Sequence, residues 1–136
     1  MIYLTRRERF SAAHRMYRKD WSDEKNAEVF GKCSNPNWHG HNYVLYVTVR
    51  GEASAETGFV MNLDTLKRII QEKVIKKLDH RNINLEVDFM KGRIATTENI
   101  AMSVWQELKP HIENAGAELW CVKIEETENN SIEYYG

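Results

Sequence analysis

His39-Gly40-His41-Asn42-Tyr43-Val44-Leu45-Tyr46-Val47-Thr48-Val49 reads as one extended segment. From Tyr43 onward it is β-branched, aromatic and leucine residues, the composition of a strand. On a strand, residues i and i+2 point to the same face. His39 and His41 therefore present two imidazoles side by side. Toward the N-terminus, residues 2–14 read as a second strand, closed by Phe10-Ser11-Ala12-Ala13-His14-Arg15. His14 can supply a third imidazole. Three histidines suffice to hold a zinc ion and leave its fourth position open, which marks a catalytic rather than a structural zinc.

The rest of the chain falls into place around these strands. Residues 17–38 are polar and contain Gly31, Pro36 and several asparagines. They read as a long functional loop with a short helix at 23–30. Asn62 or Asp64 can cap a helix that runs to about Leu78. Leu63, Leu66, Ile70, Val74 and Leu78 make its apolar stripe. A second helix starts at Thr96-Thr97, with Ile100, Val104, Leu108 and Ile112 as its stripe, and Pro110 is expected to end or kink it. Residues 119–126 and 131–135 read as two further strands joined by a turn at Glu128-Asn129-Asn130. The order ββααββ predicts an α+β fold, a four-stranded antiparallel sheet with two helices on one face. Such a sheet has two open edges, which oligomerisation would cover.

Composition narrows the function. A chain of 136 residues with 42% hydrophobic content suits one domain spanning 1–136. A net charge of -1 gives no basic field for nucleic acid or an anionic membrane. No apolar run approaches the ~20 residues of a membrane span, and Met1-Ile2-Tyr3-Leu4-Thr5-Arg6-Arg7 does not resemble a signal peptide. Two cysteines without CxxC spacing fit a reducing compartment, so a cytoplasmic location is expected.

Three more positions carry chemistry. Cys33 sits in a polar loop beside Lys32, where nearby positive charge or a metal would favour thiolate and make it a base or nucleophile. Cys121, in an apolar run, reads as packing. Asp79-His80 ends the first helix. It is either a histidine placed for the helix dipole or a carboxylate-tuned imidazole for proton transfer. Trp120, Val122, Ile124 and Glu126 alternate onto one strand face. Glu126 there is a carboxylate closing an apolar face, costly without a polar partner. His111 reads as surface.

These residues together resemble the 6-pyruvoyl-tetrahydropterin synthase family. Phe10-Ser11-Ala12-Ala13-His14-Arg15, Phe30-Gly31-Lys32-Cys33 through His39-Gly40-His41-Asn42-Tyr43, Leu78-Asp79-His80, Ala95-Thr96-Thr97-Glu98-Asn99 and Glu126-Thr127-Glu128-Asn129-Asn130 appear in order and span almost the whole chain. The resemblance implies a tunnelling fold, in which three subunits close their sheets into a barrel and two trimers stack into a homohexamer with sites at subunit interfaces. It implies zinc on His14, His39 and His41, Cys33 as the base, and Asp79 with His80 as a linked proton-transfer pair. Glu126 would anchor the pterin, with Thr96 and Thr97 in the same pocket. The implied substrate is 7,8-dihydroneopterin triphosphate, converted to 6-pyruvoyl-tetrahydropterin with release of triphosphate, and magnesium is a natural companion of that polyphosphate.

Two alternatives remain beside it. The 6-carboxy-tetrahydropterin synthases of deazapurine (queuosine) synthesis resemble this family in fold, metal and substrate. They generally have a shorter interval between the cysteine and His-x-His than the five residues here. A subgroup that makes a hydroxymethyl pterin carries glutamate where this chain has Cys33. From another class, the chain could be a zinc-bearing pterin-binding module without turnover. An open set of three histidines argues against that, since structural zinc is usually closed by four protein ligands.

Overall fold

The computed structural model describes all 136 residues. β1 (Ile2–His14) and β2 (His39–Gly51) pair antiparallel along their whole length, from Ile2 opposite Gly51 to His14 opposite His39. Between them lie α1 (Asp23–Phe30), capped by the Ser22 hydroxyl, and a 3-10 turn (Gly31–Ser34). Gly31, at φ +57° and ψ -133°, takes a backbone conformation open mainly to glycine and ends α1.

β2 leads into α2 (Leu63–Ile70), which continues through a π-helical segment (Gln71–Ile75) into α3 (Lys76–Leu78). Next come a two-residue strand β3 (Arg81–Asn82), the short helix α4 (Ile83–Glu86) and a 3-10 turn (Asp88–Met90). The long helix α5 (Thr97–Asn114) and strands β4 (Glu118–Thr127) and β5 (Asn130–Tyr134) complete the chain. The sheet order is β3-β1-β2-β4-β5. The sequence predicts four antiparallel strands; the sheet has five and is mixed, because β3 runs parallel to β1 at Ala12 and Ala13. Two residues are too few to show strand periodicity.

The helices begin where side-chain oxygens can cap them. Asn62 Oδ1 accepts the Thr65 N–H at 3.1 Å, and Thr96 Oγ1 accepts the Asn99 N–H at 3.2 Å. Leu66, Ile70, Val74 and Leu78 of the first helical segment are fully buried, as are Ile100, Val104, Leu108 and Ile112 of α5. They cover the sheet face formed by Phe10, Tyr43, Leu45, Val47, Val122 and Ile124. Leu63 departs from the expected stripe: it is the first residue of α2 and is 56% exposed. Ile75 joins the buried set instead. A π turn carries an extra residue, which rotates the helix surface and turns both Val74 and Ile75 inward.

Two other expectations change. α5 runs past Pro110 to Asn114. The carbonyl that Pro110 cannot serve belongs to Gln106, on the exposed side where water can replace the lost N–H, while Ile112 keeps the last turn on the core. Trp120 does not share a face with Val122, Ile124 and Glu126. A register shift opposite Thr48 and Val49 turns it to the uncovered side of the sheet, where it packs edge-on against Tyr3 and Tyr135 and beneath the Arg50 guanidinium.

The helix packing generates a direct test. Leu66→Ala should cost about 2–5 kcal/mol in urea unfolding, whereas Leu63→Ala should stay within about 0.5 kcal/mol of the parent. Equal costs would contradict the stripe as described.

Candidate active site

The site is built at the closed end of the β1–β2 ladder. The register sets His14 opposite His39 and Ala12 opposite His41, so all three imidazoles fall on the helix-covered face. Their ring centroids are 4.4 Å (His14–His39), 5.0 Å (His39–His41) and 5.1 Å (His14–His41) apart. One ring nitrogen from each lies within 4.8 Å of the others. Gly40, between the two β2 histidines, fits this crossing because a Cβ there would stand 3.1 Å from the Ala12 carbonyl oxygen. Trp38, just before them, is held at φ +67°, a conformation that non-glycine residues adopt at a cost.

His14 Nδ1 donates to the Ala95 carbonyl at 2.7 Å. A carbonyl only accepts, so the proton is on Nδ1 and the Nε2 lone pair is free. His14 Nε2, both nitrogens of His39 and His41 Nε2 are buried with no hydrogen-bond partner. Buried polar atoms without partners are expensive, and a cation shared by these lone pairs would satisfy them. Burial lowers the pKa of His14, and burial followed by the charge of His41 lowers that of His39. Both effects favour the neutral imidazole that binds metal. The donor set and its geometry thus fit a metal ion held through His14, His39 and His41, with a backbone carbonyl orienting one ligand from behind.

Glu126 stands beside this set. Its Oε2 accepts the Thr97 hydroxyl at 2.5 Å, and its Oε1 lies 3.9 Å from His41 Nε2. Thr97 is buried in the first turn of α5, and its neighbour Thr96 spends its hydroxyl on the helix cap. Three successive residues therefore support a metal ligand, the helix start and the carboxylate: Ala95, Thr96 and Thr97.

Cys33 is half-buried on the 3-10 turn, tied to the chain just beyond His14. The Met16 N–H donates to the Cys33 carbonyl at 2.8 Å, and Arg15 Nε donates to the Ser34 carbonyl at 2.7 Å. Asn84 in turn clamps the Arg15 backbone, accepting from its N–H at 2.9 Å and donating to its carbonyl at 2.8 Å.

Asp79 and His80 form a pair elsewhere. Asp79 Oδ1 accepts the Ser11 N–H at 2.8 Å, which holds the carboxyl below its ordinary pKa, and Oδ2 lies 3.0 Å from His80 Nδ1. The His80 N–H donates to the Ser11 carbonyl at 2.6 Å, with the residue at φ +58°. The His80 side chain is 83% exposed and lines a surface cleft with Ser11, Gly40, His41 and Asn42. The structure thus gathers His14, His39, His41, Glu126 and Thr97. It tethers Cys33 to the same strand end, and it leaves the Asp79–His80 pair without a hydrogen bond to the histidine set.

Two participants escape the sequence reading. The Ala95 carbonyl is backbone and leaves no signature. Tyr43 does leave one: it continues the alternation His39, His41, Tyr43. It is fully buried, stacks on Phe10 at 4.8 Å, and stands edge-on to His41 at 5.4 Å and His14 at 6.0 Å. Its hydroxyl has no hydrogen-bond partner. Burial, reinforced by the charges of Glu126 and Cys33, pushes the phenol well above its ordinary pKa.

Fold and site together define a class: an α+β protein with a three-histidine set able to hold a metal ion, flanked by a hydrogen-bonded carboxylate. Comparison with known proteins makes it specific. Residues 3–136 match the family model described as 6-pyruvoyl tetrahydropterin synthase. The chain is 47% identical to the 6-pyruvoyl tetrahydrobiopterin synthase of Pongo abelii and 46% identical to that of Homo sapiens, each over 98% of this chain and 90% of the relative. The structure of Caenorhabditis elegans 6-pyruvoyl tetrahydropterin synthase superposes with a TM-score of 0.93 at 41% identity, covering 99% of this chain and 95% of that one. The chain belongs to the 6-pyruvoyl tetrahydropterin synthase family.

The buried histidines predict an acid-sensitive metal-free protein. With their folded-state pKa values below the ordinary 6.5, they stay neutral in the fold while the unfolded chain takes up protons. Their contribution to stability is complete above that value and declines as pH falls below it. The chelator-treated protein should melt at lower temperature at pH 5.5 than at pH 7.5, and His14→Ala should flatten that dependence. A melting temperature that rises on acidification would contradict it.

Proposed function

We propose that this chain is a zinc-dependent lyase that converts 7,8-dihydroneopterin triphosphate to 6-pyruvoyl-tetrahydropterin with release of triphosphate, a step in tetrahydrobiopterin synthesis. The observation that carries the reading is the convergence of three histidines bearing unpartnered ring nitrogens with the Thr97-held Glu126 on one sheet face, in a chain whose close relatives bear that name. Triphosphate is eliminated and the side chain rearranges by internal redox, without an added redox cofactor. Magnesium would accompany the triphosphate.

The roles are those the family resemblance implies, carried onto the matching positions of this chain. His14, His39 and His41 would hold the zinc. Bound there, zinc would supply Lewis acidity toward the side-chain hydroxyls, easing removal of the neighbouring C–H protons. Cys33, as thiolate, would take a side-chain proton, and Asp79 with His80 would relay or return it. Glu126 would accept hydrogen bonds from the pterin ring N–H and exocyclic amine, a two-point match for a carboxylate. The Thr97 hydroxyl uses one lone pair of that carboxylate and fixes its orientation. Thr96, committed to the helix cap, would contribute backbone groups only.

We also infer that a single domain of this kind works as an assembly, three sheets closing into a barrel and two trimers forming a homohexamer in the cytoplasm. The exposed β3 and β5 edges and the exposed Asp79–His80 pair support sites completed between subunits. No helix is long and apolar enough to cross a membrane.

The deciding experiment supplies zinc-loaded protein with 7,8-dihydroneopterin triphosphate and weighs the released pterin. A 6-pyruvoyl product with free triphosphate is expected; a 6-carboxy product would move the chain to deazapurine synthesis. Cys33→Ala should abolish turnover at unchanged zinc content, and zinc loss there would make Cys33 a ligand instead. Glu126→Ala should weaken pterin binding at least tenfold, on the order of the ~1.5–3 kcal/mol of a charged hydrogen bond, again with zinc retained.

A further inference from the structure

We propose that the Tyr43 hydroxyl is a further substrate contact, donating a hydrogen bond to an oxygen of the hydroxylated side chain that the pterin carries into the histidine set. This inference rests on the proposed function and names a residue that reading leaves idle.

Four observations lead to it. Tyr43 follows His39 and His41 on the same face of β2, so its side chain belongs to the layer that forms the site. Its ring stands edge-on to both His14 and His41, at 6.0 Å and 5.4 Å. The residue is fully buried, yet its hydroxyl finds no partner in the protein. On the adjoining strand, the ring stacked against it at 4.8 Å is Phe10, so this layer accommodates a phenyl ring without a hydroxyl.

A buried hydroxyl that lacks a partner lowers stability. Such groups persist where a ligand supplies the missing partner. The ligand must bring an acceptor. Under the proposed function the Glu126 carboxylate, held by Thr97, would take the donors of the pterin ring, whereas Tyr43 stands against His14 and His41. Its counterpart is therefore a side-chain oxygen rather than a ring atom. The phenol keeps its proton throughout, as a fixed donor in a water-excluded corner. Removing it should cost substrate positioning and leave the metal in place.

Tyr43→Phe deletes this one oxygen. The test compares zinc-loaded wild type and Tyr43→Phe for affinity toward two probes, 7,8-dihydroneopterin and 6-methyl-7,8-dihydropterin, which share the ring and differ in the hydroxylated side chain. The variant should bind dihydroneopterin about tenfold more weakly, the loss expected of one neutral hydrogen bond. It should bind the methyl compound unchanged, keep its zinc, and melt at the same or a higher temperature without ligand. Equal losses for both probes, or no loss for either, would overturn the assignment, the second result meaning that a buried water serves the hydroxyl. A lower melting temperature or lost zinc would make Tyr43 structural and overturn it as well. If wild type fails to bind dihydroneopterin, the proposed function falls and this contact with it. If wild type binds and only the selectivity is missing, this contact alone falls.

Discussion

Everything at the site depends on the antiparallel register of β1 on β2. Side chains on a strand alternate with a period of two, so a slip of one residue would send a strand's histidines to the opposite face. With His14 opposite His39, the two strands deliver three imidazoles to one point. The register is held far from the site, by Leu45, Val47 and Val49 burying against the helices. Slipping it would expose that apolar row to water. The hydrophobic core thus sets the geometry of the histidine set.

The same end of the sheet is where the fold is least satisfied. Elsewhere the inward face is apolar and the cap of α2 is made by a side chain on the spot. At the site, four imidazole nitrogens and one phenol are buried without partners, and two non-glycine residues nearby, Trp38 and His80, take left-handed backbone conformations. Strain and unmet hydrogen bonding concentrated in one place are what a preorganised binding site requires. The surrounding ladder and the Ala95-Thr96-Thr97 segment supply the rigidity that keeps these groups from collapsing onto each other.

Much of this was legible from the chain. The extent of β1, the two long helical segments, the paired histidines of β2 and the inward face of Glu126 follow from period-two and period-3.6 patterns and from capping residues, while α1 is legible only as a short helix within a polar loop. What escaped lacks periodicity or side-chain identity. β3 is two residues long, and the Trp120 register shift breaks an alternation that looks intact in the sequence. The π segment moves Ile75 inward against a regular helical phase. The Ala95 carbonyl and the Ser11 peptide act through backbone atoms, which every residue possesses. Leu63 falls outside the buried stripe because periodicity cannot tell where a helix first meets its sheet.

One consequence of the alternation on β1 bears on how the enzyme is assembled. His14 faces the helices, while Ser11 and Ala13 face the uncovered side, and Asp79 hangs from the Ser11 peptide. A proton relay works across hydrogen-bond distances. No hydrogen bond joins the Asp79–His80 pair to the histidine set, and the His80 ring projects into solvent. Under the proposed function and the assembly inferred with it, that ring would serve a substrate held by another copy of the chain. Joining copies along the sheet edges would then do two things at once: cover unpaired backbone groups and bring the proton-transfer pair of one subunit to the metal-binding residues of the next. Assembly would be a catalytic requirement, and a mutation at an edge strand could silence the enzyme with every site residue intact.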